Sequence, residues 1–309
     1  MGSVPIYSSR ASAFALLGLA NLFWAGNWVL GRALREAFDP VSLNFYRWVI
    51  AVVVLAPFAL PGLAAQRALL RRHAGLLALL SLIGVAVFQS LIYLGLQSTS
   101  AVNAVLINCA GPLFILLAAW LLDGERATPR QAAGLLVSVA GILVILSRGE
   151  LRTLLALQVH AGDAWIVLAI AIWGVYSVLL KRRPAELGGL HFLFVLSVAG
   201  VLFLAPAYLW QALRTPPHVP TAAEAGGVLY MGLAASVAAF LCWNRGVAVV
   251  GPNAAGFSLY LLPVFATLLA IAFLGESFGL FHAVGIATIV AGILLATIRT
   301  SGGPSPASS

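Results

Sequence analysis

The chain has 309 residues, of which 62% are hydrophobic and only 8% are charged. A soluble domain carries roughly 25% charged residues, so this composition excludes a water-soluble fold of this length. The formal charge of +8 comes from basic residues scattered over short segments, with no soluble basic domain to hold a duplex, and we expect no nucleic-acid partner.

Ten apolar runs follow one another along the chain, each near 20 residues and so long enough to cross a ~30 Å hydrocarbon layer as a helix. We predict an all-α membrane protein with ten transmembrane helices in the lipid bilayer. The helices cover residues 11–31, 41–61, 74–96, 100–122, 131–147, 163–181, 190–211, 226–245, 253–274 and 279–298. The tail 300–309, rich in Gly, Pro and Ser, is predicted to be disordered.

Basic residues in the short connecting segments predict the orientation, because cytoplasmic loops carry an excess of Lys and Arg. With the N-terminus inside, ten basic residues fall on the inner side and five on the outer side. The inner set is Arg10, Arg67, Arg71, Arg72, Arg126, Arg130, Lys181, Arg182, Arg183 and Arg299, and the outer set is Arg32, Arg35, Arg148, Arg152 and Arg214. The chain is therefore expected in a bacterial inner membrane, with both termini on the cytoplasmic side.

One stretch of the chain occurs twice. A shift of 151 positions lays residues 95–143 on 246–294 without a gap, and 15 of the 49 positions are identical. The repeat predicts a first five-helix unit over residues 1–150 and a second over 151–299. Because five is an odd number of spans, the second unit enters the membrane upside down, as in carriers built from inverted repeats around a central cavity. Glu125 and Glu276 are then expected on opposite sides of the bilayer.

Several motifs resemble those of the EamA-type ten-helix carriers of the drug/metabolite transporter superfamily. They are Trp24-Ala-Gly-Asn27, Asp39-Pro40 through Arg47, Trp243-Asn244-Arg245, and the pattern Pro112, Gly124-Glu125, Gly134, Gly141 with its copy Pro263, Gly275-Glu276, Gly285, Gly292. The resemblance covers nearly the whole chain. It implies export of small metabolites, with exporters of amino acids, including aromatic ones, as the most similar members.

Polar and aromatic residues inside the predicted spans are the candidates for substrate contact, since a polar group in hydrocarbon is costly unless it faces a cavity or a partner. The alternative is that Asn and Ser bond a neighbouring helix and that Trp and Tyr anchor the interface. The candidate set is Trp24, Asn27, Arg47, Gln89, Tyr93, Asn108, Trp173, Tyr176, Tyr230, Trp243, Asn244, Ser258 and Tyr260.

For Arg47 and two prolines the functional and structural interpretations can be stated most specifically. Arg47 lies seven residues beyond Pro40, and it either holds a substrate carboxylate, is neutralised by helix-end carbonyls, or snorkels outward. Pro112 and Pro263 occupy equivalent positions, each expected to break a backbone hydrogen bond inside a span. They are predicted as a matched pair of gating bends, the alternative being structural kinks.

Absent motifs narrow the function further. No Asp or Glu falls within the predicted spans, so no site for proton or sodium coupling is apparent, and facilitated movement of a neutral or zwitterionic solute is favoured. A nucleotide-sugar or phosphorylated-metabolite exchanger remains the alternative within transport, although it needs clustered Lys and Arg. A membrane scaffold is a further alternative.

An intramembrane enzyme is the remaining alternative, but no catalytic motif is found, and no catalytic residues are expected. Cys109 and Cys242 have neither disulfide nor metal spacing, so neither metal nor cofactor is expected. Nothing in the sequence implies an obligate protein partner, and the sequence is compatible with a monomer.

Overall fold

The computed structural model describes residues 9–99, 101–150, 152, 158–216, 218–274 and 279–298. Over these residues all regular structure is helical, and ten segments are long and apolar enough to cross a membrane. The predicted all-α fold with ten spans is confirmed.

The spans are labelled α1 to α10 in chain order. The first five are α1 Arg10–Ala33, α2 Pro40–Ala59, α3 Ala74–Ser98, α4 in two parts Ala101–Asn108 and Gly111–Asp123, and α5 Pro129–Ser147. The second five are α6 Ala161–Arg182, α7 Gly189–Arg214, α8 Ala222–Val250, α9 in three parts Pro252–Gly256, Phe257–Tyr260 and Leu261–Leu274, and α10 Leu280–Thr297. A short helix, Arg67–Arg72, links α2 to α3.

Local sequence signals set the ends of these helices. Asp39 caps α2, its Oδ1 accepting from the backbone N–H groups of Val41 and Ser42 at 3.1 and 3.0 Å, and Pro40 follows at the first helical position. Gly124 ends α4 with φ 69°, a left-handed conformation that glycine adopts without a steric penalty.

Helices α5 and α10 cross at glycines, and the pairing of these glycines shows that the two helices run in opposite directions. A Cβ added to Gly134 would lie 2.6 Å from the carbonyl oxygen of Gly292, and one added to Gly141 would lie 2.7 Å from that of Gly285. Residues with higher numbers on α5 contact residues with lower numbers on α10, so the two helices are antiparallel. Glycine is required here because the two backbones touch.

The same contacts reveal a pseudo-two-fold relation between the halves. Under the 151-residue shift Gly134 corresponds to Gly285 and Gly141 to Gly292. Gly134 therefore contacts the equivalent of Gly141, and Gly141 contacts the equivalent of Gly134. The hydroxyl of Ser138 donates to the carbonyl oxygen of its own equivalent, Ile289, at 3.4 Å. Exchange of this kind is what a two-fold axis produces, here between two copies in one chain. The inverted five-helix repeats are therefore present.

Both predicted helix interruptions occur, although the prolines stand beside the breaks and not inside regular helix. Helix α4 breaks between Asn108 and Gly111, and Pro112 lies in the first turn of the following segment. Helix α9 tightens to a 3₁₀ turn over Phe257–Tyr260 before the segment that contains Pro263. A proline in a first turn removes no hydrogen bond the helix needs, which differs from the expected mid-helix break.

Three predictions fall partly on residues outside the described ones. These are the disordered tail, the position of Glu276, and the exact boundary between the two repeats, since residues 151 and 153–157 are not described. The antiparallel α5 and α10 place the described start of α10 at the opposite end of the bundle from the start of α5.

Candidate functional site

Three tryptophans from three helices meet at the centre of the main core. Trp24 of α1, Trp173 of α6 and Trp243 of α8 have ring centroids 5.3 to 5.4 Å apart. Phe240 packs edge-on against Trp24 at 5.8 Å, and Tyr176 stacks on Trp173 at 5.0 Å. These five rings, called the aromatic cluster below, have the offset and edge-to-face geometries that stabilise ring pairs.

A polar network lies beside the aromatic cluster, and its centre is Arg47. The guanidinium donates from Nε to the Ser236 hydroxyl at 2.7 Å, and from Nη1 to Tyr93 OH at 2.9 Å and Asn27 Oδ1 at 3.2 Å. Tyr93 OH in turn donates to Asn27 Oδ1 at 3.0 Å. Helices α1, α2, α3 and α8 each supply one side chain to this network.

Arg47 neither reaches the membrane surface nor bonds the carbonyls of a helix end. The residue is fully buried, so it does not snorkel. Its three hydrogen bonds go to side-chain oxygens and none to a helix-end carbonyl. Among the described residues no carboxylate forms an ion pair with it. A buried cation held only by neutral groups is costly and therefore attracts an anion.

A small pocket separates the aromatic cluster from the polar network. It is lined by Trp24, Asn27, Trp28, Phe88, Gln89, Asn108, Ile170, Trp173, Leu259 and Leu262. Its free volume of about 20 Å³ is room for roughly one water molecule, against 300–1,000 Å³ for typical ligand pockets. The Nδ2 of Asn108 is buried at this pocket and has no hydrogen-bond partner in the described part of the chain. The central site is therefore contracted and still holds an unused donor.

The predicted site residues divide into two groups. Trp24, Asn27, Gln89, Asn108 and Trp173 line the pocket, and Arg47, Tyr93, Tyr176 and Trp243 join it through the polar network or the aromatic cluster. The other four engage the protein elsewhere.

Each of those four has a partner or an environment away from the pocket. Tyr230 donates to the carbonyl of Phe23, and Asn244 accepts from Tyr176. Ser258 donates to the carbonyl of Ala255. Tyr260 lines a separate apolar cavity of about 170 Å³ beside Cys109.

Five lining residues were not among the candidates: Trp28, Phe88, Ile170, Leu259 and Leu262. Trp28 is four residues after Trp24 and so shares its helix face, a signal that could have identified it. The aliphatic residues carry no such signal, because a cavity-lining leucine and a lipid-facing leucine look alike in sequence. Trp48 is fully buried against Phe240 and therefore does not anchor the membrane interface.

Two widened helical turns support the site from equivalent positions. Leu82–Val87 in α3 and Met231–Ala238 in α8 are π-helical, and Leu82 plus 149 is position 231. The Ser236 hydroxyl that receives Arg47 also donates to the carbonyl oxygen of Met231 at 2.8 Å. Asn44 of α2 donates to the carbonyl oxygens of Val85 and Ala86 in the other widened turn. Turns of this type are frequent at functional sites.

Ion pairs join the two halves at the end of the bundle where α4 and α6 end. Lys181 pairs with Asp123 and, at 2.7 Å, with Glu125, and Arg182 pairs with Asp123 at 2.9 Å. Asn253 donates to Glu125 Oε2 at 2.9 Å. The carboxylates belong to the first half and their partners to the second. These contacts, called the ionic clamp below, link the two halves at this end of the bundle.

Three carboxylates in the described spans correct the expectation that no acidic residue lies within a span: Asp123 ends α4, Glu224 lies in the first turn of α8, and Asp163 in that of α6 is the buried one. Helix α6 begins at Ala161, so Asp163 stands in its first turn, where it is buried. Asp163 accepts from the Thr99 hydroxyl, from Asn103 Nδ2 at 2.8 Å and from the backbone N–H of His160 at 2.8 Å. These three donors make it a helix cap that also ties α6 to the first half.

Comparison with known proteins identifies the family. The sequence pattern of the EamA-like transporter family matches residues 11–147 and again residues 160–298. The chain belongs to the EamA-like transporter family. It is a multi-pass membrane transporter, as the sequence predicted.

Relatives of this EamA-like transporter include named exporters. It is 32% identical to a probable terminal-alkyne amino-acid exporter of Streptantibioticus cattleyicolor over 93% of each chain. It is 30% identical to the aromatic amino acid exporter YddG of Ancylobacter novellus, over 60% of this chain and 63% of that one. A solved crystal structure superposes with a TM-score of 0.72 at 26% identity, covering 94% of this chain and 97% of the other.

Proposed function

We propose that this EamA-like transporter exports small neutral or zwitterionic metabolites, foremost hydrophobic and aromatic amino acids, across the bacterial inner membrane. The observation that carries the proposal is the fully buried Arg47, which has no ion-pair partner among the described residues and lies beside the aromatic cluster. The names of the two exporters among its relatives support the same substrate class.

The two parts of an amino acid match the two parts of the site. A carboxylate accepts two parallel hydrogen bonds from a guanidinium, and this geometry is stronger and more specific than a bond to a neutral donor. The rings of Trp24 and Trp173 offer an apolar surface to the side chain, and their faces attract an ammonium group. Asn108 Nδ2 is a further donor for the carboxylate.

Transport requires the central pocket to widen, because about 20 Å³ holds no amino acid. In the proposed cycle α4 and α9 bend at their interruptions beside Pro112 and Pro263, and the widened turns of α3 and α8 absorb the change. The ionic clamp opens when the site faces the side on which it lies. The excess of basic residues supports a cytoplasmic location for that side and for both termini.

Movement is proposed to follow the solute gradient without ion coupling. Asp163 is the carboxylate closest to a coupling role in the described spans, but its three donors already satisfy it as a helix cap. No second buried Lys or Arg accompanies Arg47 in the described residues, whereas a phosphorylated substrate would favour a cluster of them.

Counterflow in proteoliposomes tests the proposal. Vesicles loaded with unlabelled L-phenylalanine should accumulate the labelled form, at a rate independent of an imposed pH gradient, in both the wild type and Asp163→Asn. Flux that depends strictly on the proton gradient would contradict uncoupled movement. An absence of counterflow for every aromatic or aliphatic amino acid would contradict the substrate class.

A further inference from the structure

A second cavity lies at the end of the bundle opposite the ionic clamp. It has a volume of about 360 Å³, and its walls come from the α1–α2 turn and from the ends of α3 and α7. This cavity, called the vestibule below, is within the size range of metabolite sites, unlike the contracted central pocket. Arg35, Phe38, Asp39, Tyr46, Tyr208 and His218 are among its lining residues.

The vestibule has an ordered aromatic wall. The hydroxyls of Tyr46 and Tyr208 lie 3.0 Å apart, and Phe45 stacks on Tyr208 at 4.1 Å with an interplanar angle of 5°. Phe38 is buried and meets Tyr46 edge-on at 6.1 Å and His218 at 5.3 Å. Rings held by one another in this way give a ligand a rigid face with little ordering cost.

Charges of both signs border that wall. Asp39 lines the cavity and caps α2 through Oδ1, and among the described residues its carboxylate forms no ion pair with a basic side chain. The Arg35 guanidinium is paired with the largely exposed Glu36 at 3.5 Å, and the Arg35 carbonyl accepts from Gln97 Nε2 at 3.1 Å. The Asp39 carboxylate and the aromatic faces are complementary to the ammonium group and the side chain of an aromatic amino acid.

We infer that the vestibule is a second binding site for the transported solute, in which Asp39 receives the ammonium group and the Tyr46–Tyr208 wall receives the side chain. The inference rests on the proposed function, because it assumes a zwitterionic aromatic solute. Tyr46 adjoins Arg47 in sequence, so one helix, α2, contributes to both sites. The two sites recognise opposite ends of the solute: the central site takes the carboxylate, and the vestibule takes the ammonium.

Equilibrium dialysis of the purified full-length protein with labelled L-phenylalanine tests the inference. The wild type should bind two molecules per chain. Phenylethylamine, which lacks the carboxylate, should displace one of them, and 3-phenylpropanoate, which lacks the ammonium, should displace the other. Asp39→Asn should bind one molecule, still displaced by 3-phenylpropanoate, because asparagine caps a helix as well as aspartate does and the fold is kept.

Glu186→Gln is the matched control, since it removes the same charge from an exposed side chain at the clamp end of the bundle, outside the vestibule. It should retain both molecules. One bound molecule in the wild type, unaffected by Asp39→Asn, would overturn the vestibule site while leaving the proposed function intact. Binding of no amino acid at all would overturn the proposed function, and the vestibule site with it.

Discussion

The two halves of the molecule share a backbone design but differ in their charged chemistry. The first-half segment Leu55-Ala56-Pro57 matches Leu204-Ala205-Pro206 at a shift of 149, with the proline inside α2 and inside α7. Both halves have a widened turn and an interrupted helix at equivalent positions. The duplication therefore preserved the features that let helices cross and bend.

One hydrogen bond illustrates how the side chains diverged. In the first half Tyr93 of α3 donates to Asn27 of α1, and in the second half Tyr176 of α6 donates to Asn244 of α8. Asn27 corresponds to Tyr176 at a shift of 149, and Tyr93 corresponds to Asn244 at a shift of 151. Helices α6 and α8 are the equivalents of α1 and α3, so the same pair of helices is joined by a Tyr–Asn hydrogen bond in each half. The helix that supplies the tyrosine donor and the helix that supplies the asparagine acceptor are exchanged.

Arg47 marks the difference between the halves, because its equivalent at a shift of 149 is Leu196, which is also fully buried. A packing position can be filled by leucine without cost, so the fold does not need a cation there. The comparison supports the proposed functional role of the arginine and the proposed role of the shared scaffold in movement.

Arg47→Leu gives the first half the residue of the second and has the largest expected effect. Apparent affinity for L-phenylalanine in counterflow should fall roughly 10- to 100-fold, because a charge-assisted hydrogen bond contributes about 1.5–3 kcal/mol. Stability should be unchanged or higher, since replacing a buried ion by an apolar residue is often neutral or stabilising. Counterflow and thermal unfolding of the same preparation measure both quantities.

Arg47→Lys serves as the control for charge alone. It should recover part of the affinity but less than the wild type, since an ammonium does not form the paired bonds of a guanidinium. A variant Arg47→Leu that loses transport only because it unfolds would show that the arginine is structural.

Gly134→Ala and Gly285→Ala test the shared scaffold at equivalent positions. Each added methyl meets a backbone oxygen of the other helix within 2.8 Å, so each should destabilise the protein by a similar amount, about 1–3 kcal/mol. Gly18→Ala, where no atom of another element lies within 4 Å, should be neutral or slightly stabilising. Thermal unfolding in detergent compares the three variants. Strongly unequal effects at the two equivalent glycines would contradict the two-fold packing of α5 on α10.

Tyr93→Phe and Tyr176→Phe each remove the donor of the corresponding Tyr–Asn hydrogen bond, but the functional losses should differ. Tyr93→Phe removes one of the two donors to Asn27 and one partner of Arg47, so the KM of counterflow should rise about tenfold. Tyr176→Phe loses only the bond to Asn244, and KM should change less than about threefold. Equal losses would mean that the polar network has no special role in binding.

Lys181→Gln, in the ionic clamp, has the smallest expected effect. Exposed ion pairs contribute ~0–1 kcal/mol, so the population open at that end should rise by no more than about fivefold. Spin labels at Arg126→Cys and Glu186→Cys, with Cys109 and Cys242 replaced by alanine, report the opening as a longer distance. High salt should open the wild type in the same direction. A distance that shortens in the variant would contradict a clamping role.

The fold could be predicted from sequence far more completely than the site. The lengths of the apolar runs predict ten spans, because a helix needs about 20 residues to cross the hydrocarbon layer. The repeat predicts the inversion, because each copy has an odd number of spans. Polar residues such as Asn27 could be selected by their cost in the membrane. That cost does not separate Asn108, which lines the pocket, from Ser258, which bonds its own helix. The Ser236 contact to Arg47 depends on a π-helical turn that no sequence pattern in the chain predicts.

A structure of the protein with bound 4-bromo-L-phenylalanine, with the bromine located by its anomalous signal, tests the central claim most directly. We expect the carboxylate within about 3 Å of the Arg47 guanidinium and a bromine among Trp24, Trp173 and Trp243. A ligand that occupies the bundle centre with its carboxylate turned away from Arg47 would contradict the account.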